Sequence, residues 1–253
     1  MWSLTFCRVV YIIQFYGLTK SQDEKKYSLV LEYADGGTLR DYLRNDAITF
    51  EWKDQLKFAK DITSAIIWLH DDKGIVHGDL HPNNILVHQN TIRLADFGRS
   101  FLKGSDCYNT EILGVIPYMD PKFFDRKSPS KMDEKSDIYS LGVLLWELTS
   151  RSSPFNYETK NDHTSLMLGI FNGLREKPVQ NTNDIFVRLY KKCWEHKSNK
   201  RPDICEINKV LNSIDSENTI CYSNEEEVNE EMGSEDSDLS NCEIDCDINK
   251  YKL

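Results

Sequence analysis

The stretch HGDLHPNNILVHQNTIRLADFG, residues 77–98, decides how the rest of the chain is read. Within it Ile85-Leu86-Val87 is a short apolar run, His88-Gln89-Asn90 is polar and turn-like, and Ile92-Arg93-Leu94-Ala95 alternates. Two such runs around a polar turn predict a β-hairpin. Its open end brings Asn84 toward Asp96, and Asp79 sits in the loop just before. Two oxygen ligands converging on one point suit Mg²⁺, which takes few protein oxygens and keeps water or phosphates as its other ligands.

HGDLHPNN followed by DFG is similar to the catalytic loop and metal motif of eukaryotic protein kinases, H-R-D-L-x-x-x-N and then D-F-G. The resemblance implies an α+β, protein-kinase-like fold, with a mainly helical large lobe and a small antiparallel one. It also implies ATP and Mg²⁺ as cofactors and a protein as substrate. By it, Asp79 accepts the proton of the acceptor hydroxyl, while Asn84 and Asp96 hold the metal. His81 stands where Ser/Thr enzymes of the family usually carry lysine, and joins Asp79 and Asn84 as a catalytic candidate. Phosphoryl transfer asks a protein mainly for positioning and charge neutralisation, so these few groups carry most of it.

Upstream, Trp52, Leu56, Ala59, Ile62, Ile66 and Leu69 recur at three- and four-residue steps, the pattern of an amphipathic helix. Thr38-Leu39-Arg40-Asp41 is a capping box opening a short helix, and Asp35-Gly36-Gly37 is a turn. Glu32-Tyr33-Ala34 resembles the kinase hinge, which binds adenine through backbone groups. By that resemblance Leu31 is the gatekeeper behind the nucleotide pocket and Leu86 its floor. Leu31, Glu32, Ala34, Leu86 and Asp96 are thus the nucleotide-site candidates. Residues 12–19 alternate as a strand, 27–31 read as its partner, and 20–26 form the loop. The pair resembles strands four and five of a small lobe, so residues 1–31 read as a remnant of that lobe and 32–214 as hinge and large lobe. Phe15, His77 and Phe97 correspond to an apolar spine joining the lobes. Nothing before residue 12 resembles the family's Gly-rich loop, its phosphate-pairing lysine or the glutamate that fixes that lysine.

Downstream, residues 99–120 are polar, glycine-bearing and long for a loop of a compact domain. They resemble an activation segment ending in Pro117-Tyr118-Met119-Asp120-Pro121. Residues 136–148 are apolar nearly all round, which predicts a buried helix far too short to span a membrane. Asp137 in its first turn corresponds to the family aspartate that holds the backbone of the catalytic loop. Further helices are expected from about Thr164, Asp184 and Asp203. The wording of this half most resembles the tyrosine-kinase-like group. Three positions depart from the family. Gly78 replaces the catalytic-loop arginine, removing a cation that would meet an activation-loop phosphate, and Val115 replaces a threonine. Lys122 replaces a glutamate whose usual partner is Arg201, so Lys122 is expected to face and repel Arg201, with Asp120 as a nearby substitute.

The 253 residues are 40% hydrophobic, enough for one large domain or two unequal lobes. The net charge of −10 is uneven: from Asp215 onward there are 13 acidic and 2 basic residues, against 28 and 29 before it. A near-neutral body gives no reason to expect a nucleic-acid partner. Residues 215–253 have few large apolar side chains and are expected to form an acidic, disordered tail. Seven scattered cysteines without a C-x-x-C suit the reduced thiols of a cytoplasmic protein. The apolar first 18 residues lack a cationic start and a small-residue cleavage site, and Arg8 and Gln14 interrupt them, so no signal peptide or membrane partner is expected. The bare face of a two-stranded remnant invites self-association through residues 1–31. Three readings stay open: a kinase domain phosphorylating Ser/Thr or Tyr hydroxyls, a pseudokinase that binds partners, and an inactive truncated fragment.

Overall fold

A computed structural model describes residues 10–20, 26–105, 114–125 and 130–215. The expected tail beyond Asp215 and the middle of the expected activation segment lie outside these residues. At the centre is the anticipated hairpin, β4 (Ile85–His88) antiparallel to β5 (Thr91–Leu94), with Ile85 opposite Leu94 and His88 opposite Thr91. Its two turn residues, Gln89 and Asn90, have φ of 48° and 56°, the left-handed pair that matches the twist of the strands. Ile85, Val87, Ile92 and Leu94 all point into the core.

Two helices carry the hairpin. α2 (Trp52–Ile67) starts at a capping box between Glu51 and Asp54 and buries Leu56, Phe58, Ala59, Ile62 and Ile66. It reaches the hairpin turn through Lys57, whose Nζ donates to Asn90 O at 2.6 Å. Beyond Ile67 it widens into a π-turn, Trp68–Asp72, which turns His70 inward. α3 (Glu134–Ser150) opens on a second capping box, Asp133 with Ser136, and every residue from Ser136 to Leu148 is buried. Each such large apolar side chain contributes roughly 1.5–3 kcal/mol. A Cβ on Gly142 would lie 2.8 Å from Cys193 Cβ and 2.9 Å from Trp194 N, so this position must be glycine for α5 (Asp184–Cys193) to pack against α3. α4 (His163–Phe171) and α6 (Ile204–Ser213) complete the helical body. None of the described helices is long and apolar enough to cross a membrane.

The short α1 (Leu39–Arg44) has Thr38 as its cap, with Oγ1 accepting from Asp41 N at 3.1 Å. The expected box is only half made, because the Asp41 carboxylate takes the Thr38 hydroxyl at 2.7 Å. β1 (Phe15–Thr19) and β2 (Ser28–Leu31) form a two-stranded antiparallel sheet, with a bulge between Phe15 and Gly17. The strand expected from residue 12 begins at Phe15 because the residues before it lie along β5 instead. Leu94 N donates to Tyr11 O at 2.8 Å and Ile13 N to Leu94 O at 2.9 Å, and the Ile13 side chain is buried. The architecture is the expected α+β one, a helical body with a small antiparallel sheet beside it.

Candidate active site

The catalytic-loop stretch hangs from α3 through one carboxylate. Asp137, 1% exposed, accepts from His77 N at 2.8 Å, Gly78 N at 2.9 Å and His70 Nε2 at 2.8 Å. Those bonds fix the backbone on the N-terminal side of Asp79. A short ladder, β3 (Ile75–Val76) with β6 (Phe101–Leu102), frames the same loop. Gly78 has φ +78°, and a Cβ there would stand 2.9 Å from Arg99 O and 3.0 Å from Met132 Sδ. Loss of the family arginine therefore fits a backbone that has closed over the position. The buried His77 ring lies 5.3 Å from the Phe97 ring and its Nε2 donates to Ala95 O at 3.1 Å. Burial lowers its pKa, which keeps the imidazole neutral, and Nδ1 accepts from Asp79 N at 3.3 Å.

Three of the predicted residues come together here. Asn84 Nδ2 donates to Asp79 O at 2.9 Å and reaches Asp79 Oδ2 at 3.5 Å. The amide orientation leaves Asn84 Oδ1 as an acceptor for another partner. His81 Nδ1 accepts from Asn83 N at 3.3 Å, which assigns the ring proton to Nε2, 3.7 Å from Asp79 Oδ2. Burial pushes the Asp79 carboxyl up, but His81, with Arg99 and His77, outweighs it and holds the pKa below its ordinary value. Asp79 is thus an ionised acceptor at neutral pH. At the hairpin's open end Ala95 N donates to Asn84 O at 2.8 Å, placing Asp96 beside Asn84 along the chain path. Asp96 is exposed with φ 58°, and its Oδ1 accepts from Gly98 N at 3.1 Å. An amide oxygen and a solvent-facing carboxylate are hard donors, so the pair fits Mg²⁺.

The predicted nucleotide residues are less gathered. Gly36 N donates to Val87 O and Val87 N to Gly37 O, both at 2.9 Å, and Thr38 bridges Leu86. These bonds lay the hinge along β4, with Leu86 half-buried on the face opposite Ile85 and Val87. Ala34 is half-buried on that path. The Glu32 side chain is committed elsewhere: its carboxylate takes Arg93 Nε at 3.1 Å and Gln14 N at 3.4 Å. The Glu32 backbone N–H is also taken, by Gln14 O at 2.8 Å, so the Glu32 carbonyl is what it can offer a base. Leu31 is 43% exposed at the end of β2. Of the expected spine the described ring contacts include the His77–Phe97 pair.

The end of the activation segment corrects one expectation, that Lys122 repels Arg201, and bears out the other, that Asp120 substitutes as its partner. Lys122 does not oppose Arg201. Arg201 makes a fork with Asp120, NH1 to Oδ2 at 2.6 Å and NH2 to Oδ1 at 2.9 Å, both side chains fully buried. Its remaining donors reach the carbonyls of Lys135, Glu195 and His196. Lys122 instead contacts Asp133 at 2.9 Å and Asp120 at 3.5 Å. The fork fills because Asp120 lies two residues earlier on the same 3₁₀ turn, and Lys122 then neutralises what is left over. Sequence reasoning also missed Tyr118, whose hydroxyl donates to the buried Glu147, itself paired with Arg44 of α1. Burial and the neighbouring Glu147 carboxylate raise the Tyr118 pKa well above its ordinary value. Only an alternation-breaking Glu inside an apolar helix signalled this contact.

Comparison with known proteins agrees with this geometry. The family model for protein tyrosine and serine/threonine kinases matches residues 3–211. The chain is 31% identical over 208 residues to the serine/threonine-protein kinase STY46 of Arabidopsis thaliana, covering 81% of this chain and 35% of that protein. It is 28% identical to STY17 of the same plant, over 80% of this chain and 34% of the relative. U-box domain-containing protein 33, also from Arabidopsis thaliana, is 34% identical over 73% of this chain and 23% of its own length. The chain thus spans about a third or less of these relatives. With a catalytic loop, a metal-motif hairpin and a helical body all matched over most of its length, the chain belongs to the protein kinase family.

Proposed function

We propose that this chain carries the catalytic half of a protein kinase that transfers the γ-phosphoryl group of ATP to serine or threonine hydroxyls of a protein. The observation that carries the reading is the ionised Asp79, held by Asn84 and His81 and reached through a loop anchored on Asp137. When bound, Mg²⁺-ATP supplies the phosphoryl group and much of the charge neutralisation. Asn84 Oδ1 and the Asp96 carboxylate would hold the metal. Asp79 orients the acceptor hydroxyl and takes its proton as the new O–P bond forms, while His81 Nε2–H keeps the carboxylate turned toward the loop. The hinge backbone at Glu32 and Ala34, with Leu31 and Leu86, would receive the adenine. The serine/threonine assignment leans on what the relatives' names say of those proteins.

The same reading keeps residues 1–31 as small-lobe segment, 32–214 as hinge and large lobe and 215–253 as tail, in a cytoplasmic protein that self-associates through its N-terminal part. The test is turnover of Mg²⁺-ATP on a serine- and threonine-containing acceptor peptide by the chain and its Asp79→Asn variant. The variant is expected below a tenth of the parent rate with ATP binding close to unchanged, because the base acts on the acceptor. Residual turnover above that level removes Asp79 from the role. A second reading, a partner-binding pseudokinase, is favoured by the exposed apolar residues of β2, Leu31 among them. Absence of turnover together with intact folding selects it.

A further inference from the structure

Tyr118 lies between the buried ionic network of the helical body and the loop that carries Asp79, and takes no part in the chemistry proposed above. It is buried, and its hydroxyl donates to Glu147 Oε2 at 2.5 Å, the length of a charge-assisted bond. The other oxygen of that buried carboxylate accepts from Arg44 NH2 at 2.5 Å, and Arg44 NH1 holds Arg151 O at 3.0 Å. The Tyr118 carbonyl accepts from Ser140 Oγ at 2.7 Å. Backbone and side chain of Tyr118 are thus both tied to α3, with α1 holding the carboxylate from the far side.

From this anchored residue the structure leads to both oxygens of Asp79. The Tyr118 ring lies 6.3 Å from the His81 ring at 48°, within the range over which aromatic pairs attract. His81 Nε2 in turn stands 3.7 Å from Asp79 Oδ2. A lysine at position 81 would offer Tyr118 no ring to hold. On the other side, Tyr118 N closes its 3₁₀ turn by donating to Val115 O at 2.9 Å. That turn lays Gly114, at φ +137°, over the carboxylate: a Cβ there would stand 3.4 Å from Asp79 Oδ1. We propose that Tyr118 is a positioning residue, which sets the Asp79 carboxylate by holding the His81 ring against it, with Glu147 and Arg44 as its fixed base. This rests on Asp79 acting on the acceptor hydroxyl. A base displaced from its acceptor costs rate more than binding, so the effect belongs to kcat.

Steady-state kinetics of the full chain on the acceptor peptide tests this, together with hydrogen exchange of residues 79–84 and thermal melts. Tyr118→Leu removes hydroxyl and ring, and should lower kcat roughly tenfold or more with KM for ATP within about twofold. Tyr118→Phe keeps the ring without its anchor and should lower kcat about threefold. In a His81→Gln background Tyr118→Leu should cost less than about twofold, because the contact it breaks is already gone. Exchange at 79–84 should quicken roughly threefold or more in Tyr118→Leu while the hairpin 85–94 exchanges as in the parent, a readout that needs no turnover. A parent chain without turnover removes the proposed phosphoryl transfer and leaves exchange alone to decide the role of Tyr118. Unchanged exchange at 79–84, a loss confined to KM, or kcat losses that multiply in the double variant overturns it. If Tyr118→Leu does not melt cooperatively, Tyr118→Phe with His81→Gln carries the same cycle.

Discussion

Lys122→Glu restores the residue type the kinase family carries at this position, yet the structure makes it destabilising. Lys122 Nζ stands 2.9 Å from Asp133 Oδ1 and 3.5 Å from Asp120 Oδ2, with Lys122 18% exposed and Asp120 fully buried. Exposed ion pairs contribute about 0.2–1 kcal/mol, and this half-buried one sits at the upper end of that range. Glutamate adds repulsion: two like charges about 5 Å apart at an effective dielectric near 40 cost roughly 1.7 kcal/mol. The combined loss is about 2–4 kcal/mol. Lys122→Gln, which removes attraction without adding repulsion, should cost about 1 kcal/mol.

The sign should reverse when Asp120 is removed. Asp120→Ala leaves the buried Arg201 guanidinium with only carbonyl partners, a loss of about 3–5 kcal/mol. In that background a carboxylate at 122 offers Arg201 the partner it has lost, so Lys122→Glu should recover about 1–2 kcal/mol. Urea unfolding midpoints of the four proteins at constant m-value close the double-mutant cycle. If Lys122→Glu changes stability in the same direction in both backgrounds, Asp120 has not taken over the family glutamate's place.

Mg²⁺-ATP should raise the melting temperature only slightly, and Asp96→Ala should abolish whatever rise there is; a micromolar dissociation constant by calorimetry would contradict this. The lowered pKa of His77 also has a stability consequence. Its folded value lies below the ordinary 6.5, so as pH falls through that value the unfolded chain binds the proton first and stability drops. This contribution is whole above pH 6.5 and is lost on the way down to the folded pKa. His77→Phe should flatten that part of the stability profile between about pH 7 and 5, and an unchanged slope in chemical denaturation series would assign it to other groups.

What the sequence made legible follows from which signals are local. The hairpin at 85–94 and the buried helix at 136–148 each write their period directly into adjacent residues and stand where expected, although His88, expected in the turn, pairs with Thr91 and leaves a turn of two residues. Asp137 was also legible, because its role depends on one loop and one helix whose order along the chain is fixed. The fork between Asp120 and Arg201 was legible only as an alternative, with Asp120 standing as a substitute beside Lys122. It spans 81 residues, and choosing between Asp120 and Lys122 as neighbours of Arg201 requires the geometry of a 3₁₀ turn that no periodicity encodes. The commitment of Glu32 to Arg93 was hidden for the same reason, since a pair separated by 61 residues forms only once the hinge lies beside β5.

These contacts divide the site into two ends built to different tolerances. At the metal end Asn84, His81 and Asp79 sit on a loop held by a buried aspartate, and the hairpin under Asp96 has its apolar face in the main core. Positions fixed this way keep their geometry before a ligand arrives, which is what charge neutralisation of a phosphoryl group needs. At the adenine end Leu31 closes an exposed two-stranded sheet outside that core, and the hinge is held nearer the surface, by the bonds of Glu32 to Arg93 and Gln14, of Asp35 to His88 and Gln89 N, and of Gly36 and Gly37 to β4. Ordering that end must be paid for when a nucleotide binds. Affinity should therefore be carried mainly by the phosphate and metal contacts, with a weak dependence on the base.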